Sequence, residues 1–172
     1  MVRARELSGE QRVRRLSAGD WKTYKRIRLD ALRTDPSAFG STLAQAMELP
    51  DVEWQARLER SHMFVGEVVG EAAGLAGGLR RDGFVELISM WVAPQSRGTG
   101  LAAMLIEAVV AWAAGEGYPE VRLWVVEGNA AATRAYEKSG FAPTGRRQPV
   151  REGEPAMEVE MARATSRPRR SA

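Results

Sequence analysis

The 172-residue chain contains no cysteine and a single histidine, His62. Disulfides, thiolate metal sites and a thiol nucleophile are thereby excluded, and most zinc and histidine-triad chemistry goes with them. The formal net charge of +3 is spread along the chain, mostly as arginine, which speaks against a nucleic-acid groove. At 44% apolar residues the composition is ordinary for a globular protein, and the length suits one domain, residues 1–162. Residues 163–172, arginine-rich around Pro168, read as a basic disordered tail. Met1 to Glu6 has no apolar run behind it, so no signal peptide is expected. The stretch from Gly98 to Gly115 is too short and mixed to span a membrane. A soluble cytoplasmic protein without a membrane partner is the expectation.

Val13 to Leu16 reads as a first strand. Asp20 is placed to cap a helix carrying Trp21, Tyr24, Ile27, Ala31 and Leu32 on one face, ending near Asp35-Pro36. Phe39 to Leu49 is a loop or short helix, too long for a mere connector. Asp51 is placed to cap a second helix through Trp54, Leu58 and Arg60. His62, at a strand start, reads as a partly exposed structural residue. Met63–Val69 and Ala73–Leu79 form a hairpin around Gly70-Glu71, and Arg81-Asp82-Gly83 turns into a long fourth strand.

That strand, Phe84 to Val92, ends at Pro94 and is followed by Gln95-Ser96-Arg97-Gly98-Thr99-Gly100. A helix then carries Leu101, Met104, Leu105, Ala108, Val109 and Trp112 on one face. Strand, glycine turn and helix together aim backbone N–H groups and a helix N-terminus at an anion. Gly98-Thr99-Gly100-Leu101-Ala102-Ala103 also fits a loose dinucleotide fingerprint, but it lies too late in the chain for a doubly wound domain. No Gly-Lys-Ser/Thr follows, which removes a nucleotide P-loop. A plain strand-to-helix connection that binds nothing stays open on this turn alone.

Val121 to Val126 is a further strand, followed by Glu127-Gly128-Asn129, a helical run to Ser139, and Gly140-Phe141. Two more strands, about 142–147 and 156–161, complete the order. The ordered set Gln95-x-x-Gly98-x-Gly100, then Asn129 and Tyr136, then Gly140-Phe141, resembles the GNAT superfamily of acetyl-CoA-dependent N-acetyltransferases. The resemblance is strongest over residues 84–141 and looser elsewhere, including Ala38-Phe39-Gly40-Ser41-Thr42. It implies an α/β (α+β) fold: a mixed, mostly antiparallel sheet of six to seven strands, with helices on both faces and a splayed central parallel strand pair. The helix from Leu101 makes the fourth and fifth strands parallel neighbours. In such a fold pantetheine lies in the gap, and a bulge at Met90-Trp91-Val92 would free backbone groups for it.

Acetyl transfer sets its own requirements. An alkyl amine with a pKa of about 10 must lose a proton, and a departing thiolate leaves more easily beside an acid. Glu86, in an otherwise apolar strand, matches the family's general-base glutamate; a half-buried carboxylate held by an arginine is the rival reading. On alternation it shares a face with Phe84, Ile88 and Met90, with Val85, Leu87 and Trp91 opposite. Tyr136 corresponds to the family tyrosine that bonds the CoA sulfur, and packing of its helix is the rival. Asn129 matches a residue that contacts pantetheine or caps the helix. Arg97 and the amides of Gly98, Thr99, Gly100, Leu101 and Ala102 are expected to hold the diphosphate, with Gln95 at the lip.

By the resemblance the acceptor lies between about 39–47 and 147–155, with Phe39, Ser41, Thr42, Glu86 and Trp124 as candidate contacts and Glu48, Trp91 and Glu154 also in reach. The expected reaction is direct attack of a primary amine on acetyl-CoA as co-substrate, without a metal. A small-molecule acceptor is favoured; a protein N-terminus or lysine, a non-catalytic acyl-CoA sensor, and a tail docking on nucleic acid are the alternatives. A homodimer is left open.

Overall fold

The computed structural model describes residues 9–165. In chain order the elements are β1 (Gln11–Arg15), α1 (Trp21–Thr34), α2 (Leu43–Met47), α3 (Asp51–Arg60), β2 (His62–Val68), β3 (Glu71–Arg80), β4 (Val85–Val92), α4 (Leu101–Gly115), β5 (Glu120–Val126), α5 (Ala130–Lys138), β6 (Ala142–Pro149) and β7 (Met157–Ala164). The strands form one sheet in the order β1-β2-β3-β4-β5-β7-β6. Every neighbouring pair is antiparallel except β4 and β5, which are parallel.

The β2–β3 hairpin closes through Val69 and Gly70, both at positive φ, the backbone that a two-residue hairpin needs to match strand twist. The connector from 39 to 49 holds α2, started by Thr42: its hydroxyl accepts from the Gln45 amide while the Gln45 side chain accepts from the Thr42 amide. Of the two readings of this stretch, the short helix is the one that forms. Neither expected aspartate cap forms as expected. Asp20 turns its carboxylate back to the Ser17 amide and hydroxyl and to Arg14. Asp51 is already inside α3, and Pro50 holds the cap position. At the C-terminus β7 continues through Arg163, which opposes Val121 and pairs with Glu107. Arg163 thus belongs to the sheet, and the rest of the expected tail beyond Thr165 lies outside the described residues.

Each face of the sheet buries its own core. Under α4 lie Val85, Leu87, Val92, Leu101, Leu105, Ile106, Val109, Leu123 and Met161, with Tyr136 and Phe141. Under α1 and α3 lie Tyr24, Ile27, Leu32, Phe39, Trp54, Leu58, Met63, Leu75 and Trp91. β3 is kept thin by glycines so that its neighbours can close in. A Cβ on Gly78 would lie 2.4 Å from the Trp112 ring, and one on Gly77 2.1 Å from the Met63 sulfur.

β4 crosses between these cores. Up to Ile88 it alternates as the sequence suggests, with Glu86 and Ile88 toward α1. Then Leu75 opposes Trp91 while Gly77 opposes Ile88, so Ser89 and Met90 together face Ala76. This bulge lies one to two residues earlier than expected, with Ser89 at φ +56°. The extra residue reverses the alternation. Trp91 consequently joins the core under α1, on the face of Ile88, while Met90 packs under α4. The faces expected for Met90 and Trp91 are therefore exchanged.

Candidate active site

The bulge opens the sheet. β4 and β5 pair only at Val85 with Val121 and Glu86 with Arg122, and beyond that point they diverge. The β5-facing edge of β4 from Leu87 onward has no strand partner among the described residues, a gap into which an extended chain carrying amides can add. At its end the chain makes a single tight turn at 94–96 and enters the glycine turn. Gly98 and Gly100 lie at φ +74° and +91° with open space where a Cβ would project. The amides of Gly98, Thr99, Gly100 and Leu101 find no backbone acceptor among the described residues, and α4 starts on Gly100 without a side-chain cap. Unsatisfied amides converging at a helix N-terminus present partial positive charge to an anion. The Thr99 hydroxyl donates to the Ser96 carbonyl, fixing the turn, and Gln95 is exposed beside it.

Arg97 has partners within the protein that the sequence does not suggest. Its Nε donates to the Val92 carbonyl at 2.9 Å, and its Nη2 to Asp35 Oδ2 at 2.6 Å. The same oxygen accepts from Trp91 Nε1 at 2.7 Å. Asp35, just past the end of α1, thus ties that helix to the strand after the bulge and to the start of the glycine turn.

On the α1 side of the gap is a cavity of about 490 Å³. Glu86, Tyr136, Phe39, Ser41 and Trp124 line it together with Ser89 and Met90, so five of the expected acceptor and catalytic residues meet there. Thr42 does not; it caps α2. Glu48 is exposed on α2's far end, and Glu154 pairs with Arg151. Asn129 caps α5 by accepting from the Ala132 amide. Arg151 bonds the carbonyls of Gly40 and Phe39 at 2.8 and 3.0 Å, so the β6–β7 connection is strapped to the α1–α2 connection, whose residues 38–41 line the cavity.

Glu86 accepts from the Arg81 Nε at 2.6 Å, and its side chain is 19% exposed. Tyr136 is buried, edge-on to Phe141. Burial pushes its hydroxyl pKa well above the ordinary tyrosine value, so the group stays protonated at neutral pH and keeps a proton to donate. Glu158 was not singled out from the sequence. It follows Met157 on β7 and lines the cavity; burial and the nearby Glu86 charge raise its pKa, against a hydrogen bond from Gln148 at 2.7 Å. Its alternation with Val159 and Met161 was the available signal. Arg28 was also missed, buried at 7% exposure and lining the same cavity.

Among the described residues no helix is long and apolar enough to cross a membrane, and no three acidic or histidine side chains gather as a metal cluster.

Comparison with known proteins adds the following. A model described as the acetyltransferase (GNAT) family matches residues 20–141. An uncharacterized N-acetyltransferase of Mycobacterium tuberculosis strain H37Rv is 40% identical over 82 residues, 48% of this chain and 51% of the relative. The chain thus aligns with about half the length of the curated relatives it matches. Among solved structures, the spermidine N-acetyltransferase of Vibrio cholerae, in complex with CoA and spermine, superposes with a TM-score of 0.71 at 18% identity, covering 90% of this chain and 95% of that one. The ribosomal-protein-S18-alanine N-acetyltransferase of Escherichia coli gives 0.69 at 19%, covering 95% and 99%. One of these two is named for a polyamine and the other for a protein, so likeness of fold does not choose an acceptor.

Proposed function

Because this chain belongs to the acetyltransferase (GNAT) family, we propose that it transfers the acetyl group of acetyl-CoA to the primary amine of a small molecule. The observation that carries this reading is the wedge between β4 and β5, ending on the free amides of Gly98 to Leu101. Those groups fit an extended pantetheine and a diphosphate. The exposed β4 edge at Met90 and Trp91 would bond the former, and the glycine turn with Ala102 the latter. The Val92 carbonyl is already taken by Arg97, so Arg97 supports the turn from behind and the main chain meets the anion.

Acetyl-CoA supplies an activated thioester; the chain's residues supply the proton handling. The amine nitrogen bonds the acetyl carbon as the carbon–sulfur bond breaks. One amine proton leaves to a carboxylate, directly or through water, and the sulfur takes a hydrogen bond or proton from Tyr136. Without any cysteine an acyl-thiol enzyme is unavailable, which favours direct attack in a ternary complex. Glu86 is the proposed base, with Glu158 beside it. A carboxylate with a raised pKa accepts a proton more readily, because the driving force improves as its basicity nears that of the amine. The cavity's size suits a small acceptor better than a protein segment.

The test is an amine panel with acetyl-CoA, followed as free thiol. Turnover is expected with some small amine, with Glu86→Gln lowering kcat and leaving acetyl-CoA affinity near wild type. Acetyl-CoA binding without thiol release from any amine would favour a sensor. An unchanged pH–rate profile in Glu86→Gln and Glu158→Gln alike would remove both carboxylates from the proton path.

A further inference from the structure

Arg28 is out of place for a residue with only a structural task. It lies on α1 at 7% exposure, its Nη1 is buried without a hydrogen-bond partner, and no carboxylate pairs with it among the described residues. Its guanidinium stacks over the Phe39 ring, 4.6 Å from the centroid. The neighbouring charge makes matters worse: Arg57 faces it from α3. Glu53, the acid of that helix that lines the cavity, already serves Arg57 at 3.4 Å and Arg60 at 2.6 Å. A buried cation without an anion is strongly unfavourable, and an apolar residue of similar size is usually tolerated better. The position therefore makes sense if an anion arrives from outside.

We infer that the acceptor is an amine that also carries a carboxylate, an amino acid or a close analogue, whose carboxylate is received by Arg28 inside the cavity that Glu86 and Glu158 share.

The inference rests on the acetyltransferase reading for the amine end, but its anion end stands on Arg28 alone. The charges lining the cavity fall into two groups: Arg28, Arg57 and Arg60 on α1 and α3, where Glu53 is the one acid and is already paired with the latter two, and Glu86 with Glu158 on β4 and β7. Arg28 and Arg57 interact with each other beside Tyr24, whereas Glu158 interacts with Glu86. A zwitterion fits such a pair of poles, its carboxylate on the cation and its ammonium beside the two acids that must take its proton. The planar guanidinium lies over the Phe39 ring and lines the cavity, and a guanidinium can receive a carboxylate through two bonds. A polyamine, with cations at both ends, would place one of them against Arg28.

The experiment compares the twenty common L-amino acids, β-alanine and 4-aminobutyrate with their amides, in the presence of CoA for melting and acetyl-CoA for thiol release. Wild type and Arg28→Met are measured in parallel, with Arg28→Lys as the charge-keeping control. At least one acid should raise the melting temperature and be acetylated with a KM roughly 10-fold or more below that of its amide. Arg28→Met should raise that KM by about 100-fold, the loss expected when a buried charge partner is removed. It should change kcat little, leave CoA binding intact and keep or raise the melting temperature of the free protein. A merely structural arginine would lower that temperature and leave the acid–amide preference alone. Equal use of acids and amides, turnover confined to carboxylate-free amines, or an acid preference that survives Arg28→Met would each overturn the inference. If no amine of any kind releases thiol, the acetyltransferase reading fails. The inference is still judged by melting: stabilisation by acids that disappears in Arg28→Met sustains it, and no stabilisation by any acid sinks it.

Discussion

Beneath α4 the sheet buries mostly aliphatic side chains, with Tyr136 and Phe141, whereas beneath α1 and α3 it buries a guanidinium, and an indole N–H of Trp54 without a partner. The first face leads to the glycine turn, where the groups offered to a ligand are main-chain amides. The second roofs the cavity, where they are side chains from α1, α3, β4, β5 and β7. A site made of backbone can be set by a few conformational constraints, since any side chain there only obstructs. A site made of side chains must tolerate polar groups inside the core and is correspondingly strained. The difference separates what a shared fold retains, a grip on a common co-substrate, from what it varies.

The largest test of this division is Tyr136→Phe. Loss of the hydroxyl removes the group proposed to donate to the sulfur while keeping the ring against Phe141. A fall of about 10²–10⁴-fold in kcat is expected with little change in stability. Steady-state kinetics beside a thermal melt reads it, and full activity would remove Tyr136 from the chemistry. Gly98→Glu strikes the backbone site: a side chain at φ +74° is strained by about 1–3 kcal/mol, and its charge opposes the diphosphate. Calorimetry should find acetyl-CoA binding weakened roughly 100-fold, a combined effect of about 2.7 kcal/mol. Normal binding would mean the amides of this turn hold no phosphate.

The two halves were unequally legible in the sequence, for the same reason. Gly98, Gly100 and the helix behind them lie within a few positions of one another, so local spacing carries the meaning. The parallel pairing of β4 with β5 likewise follows from the helix between them. The bulge was displaced because only a positive φ at Ser89, which nothing in Ile88-Ser89-Met90 announces, decides where the strand gains its extra residue. That shift sent Trp91 to the other core. Arg28 and Glu158 are 130 positions apart, and either alone reads as an ordinary charge on an amphipathic element. Only tertiary packing shows that Arg28 is buried and that Glu158 meets Glu86. Arg97 after the strand suggests a phosphate contact, and only packing shows that Asp35, brought in by α1, also pairs with it.

Asp35 joins the two halves, and Asp35→Asn tests whether that junction matters. Asparagine still accepts from Trp91 but loses the charge on the Arg97 side, a partly exposed pair whose loss should cost about 1 kcal/mol. Acetyl-CoA affinity is expected to fall a few-fold and the melting temperature slightly. An effect on the acceptor KM alone would show that the halves are independent. Gly78→Ala acts on the α4 face only. A methyl group 2.4 Å from the Trp112 ring forces that ring to move, costing about 1–3 kcal/mol. Denaturant unfolding should show the loss while the order of preference among amines is unchanged.

At the border of the α4 face lies a further buried titratable side chain besides Tyr136, and it gives the last test. His62 is 8% exposed and stacks on Trp112 with ring centroids 4.2 Å apart. Burial, with the Arg15 and Arg80 charges against the weaker pull of Glu116, lowers its pKa from 6.5 to about 4. The folded protein therefore resists a proton that the unfolded chain accepts. The stability this gives is complete above pH 6.5 and is lost progressively as pH falls toward 4. At pH 5.5, one unit below the ordinary value, the loss should be about 1 kcal/mol. His62→Phe keeps an aromatic ring on Trp112 and removes the titration, so its stability should fall less than that of wild type across this window. Parallel curves for the two proteins between pH 6.5 and 4 would mean that His62 titrates normally, and that the α4 face is wetter at its edge than the packing of Trp112 implies.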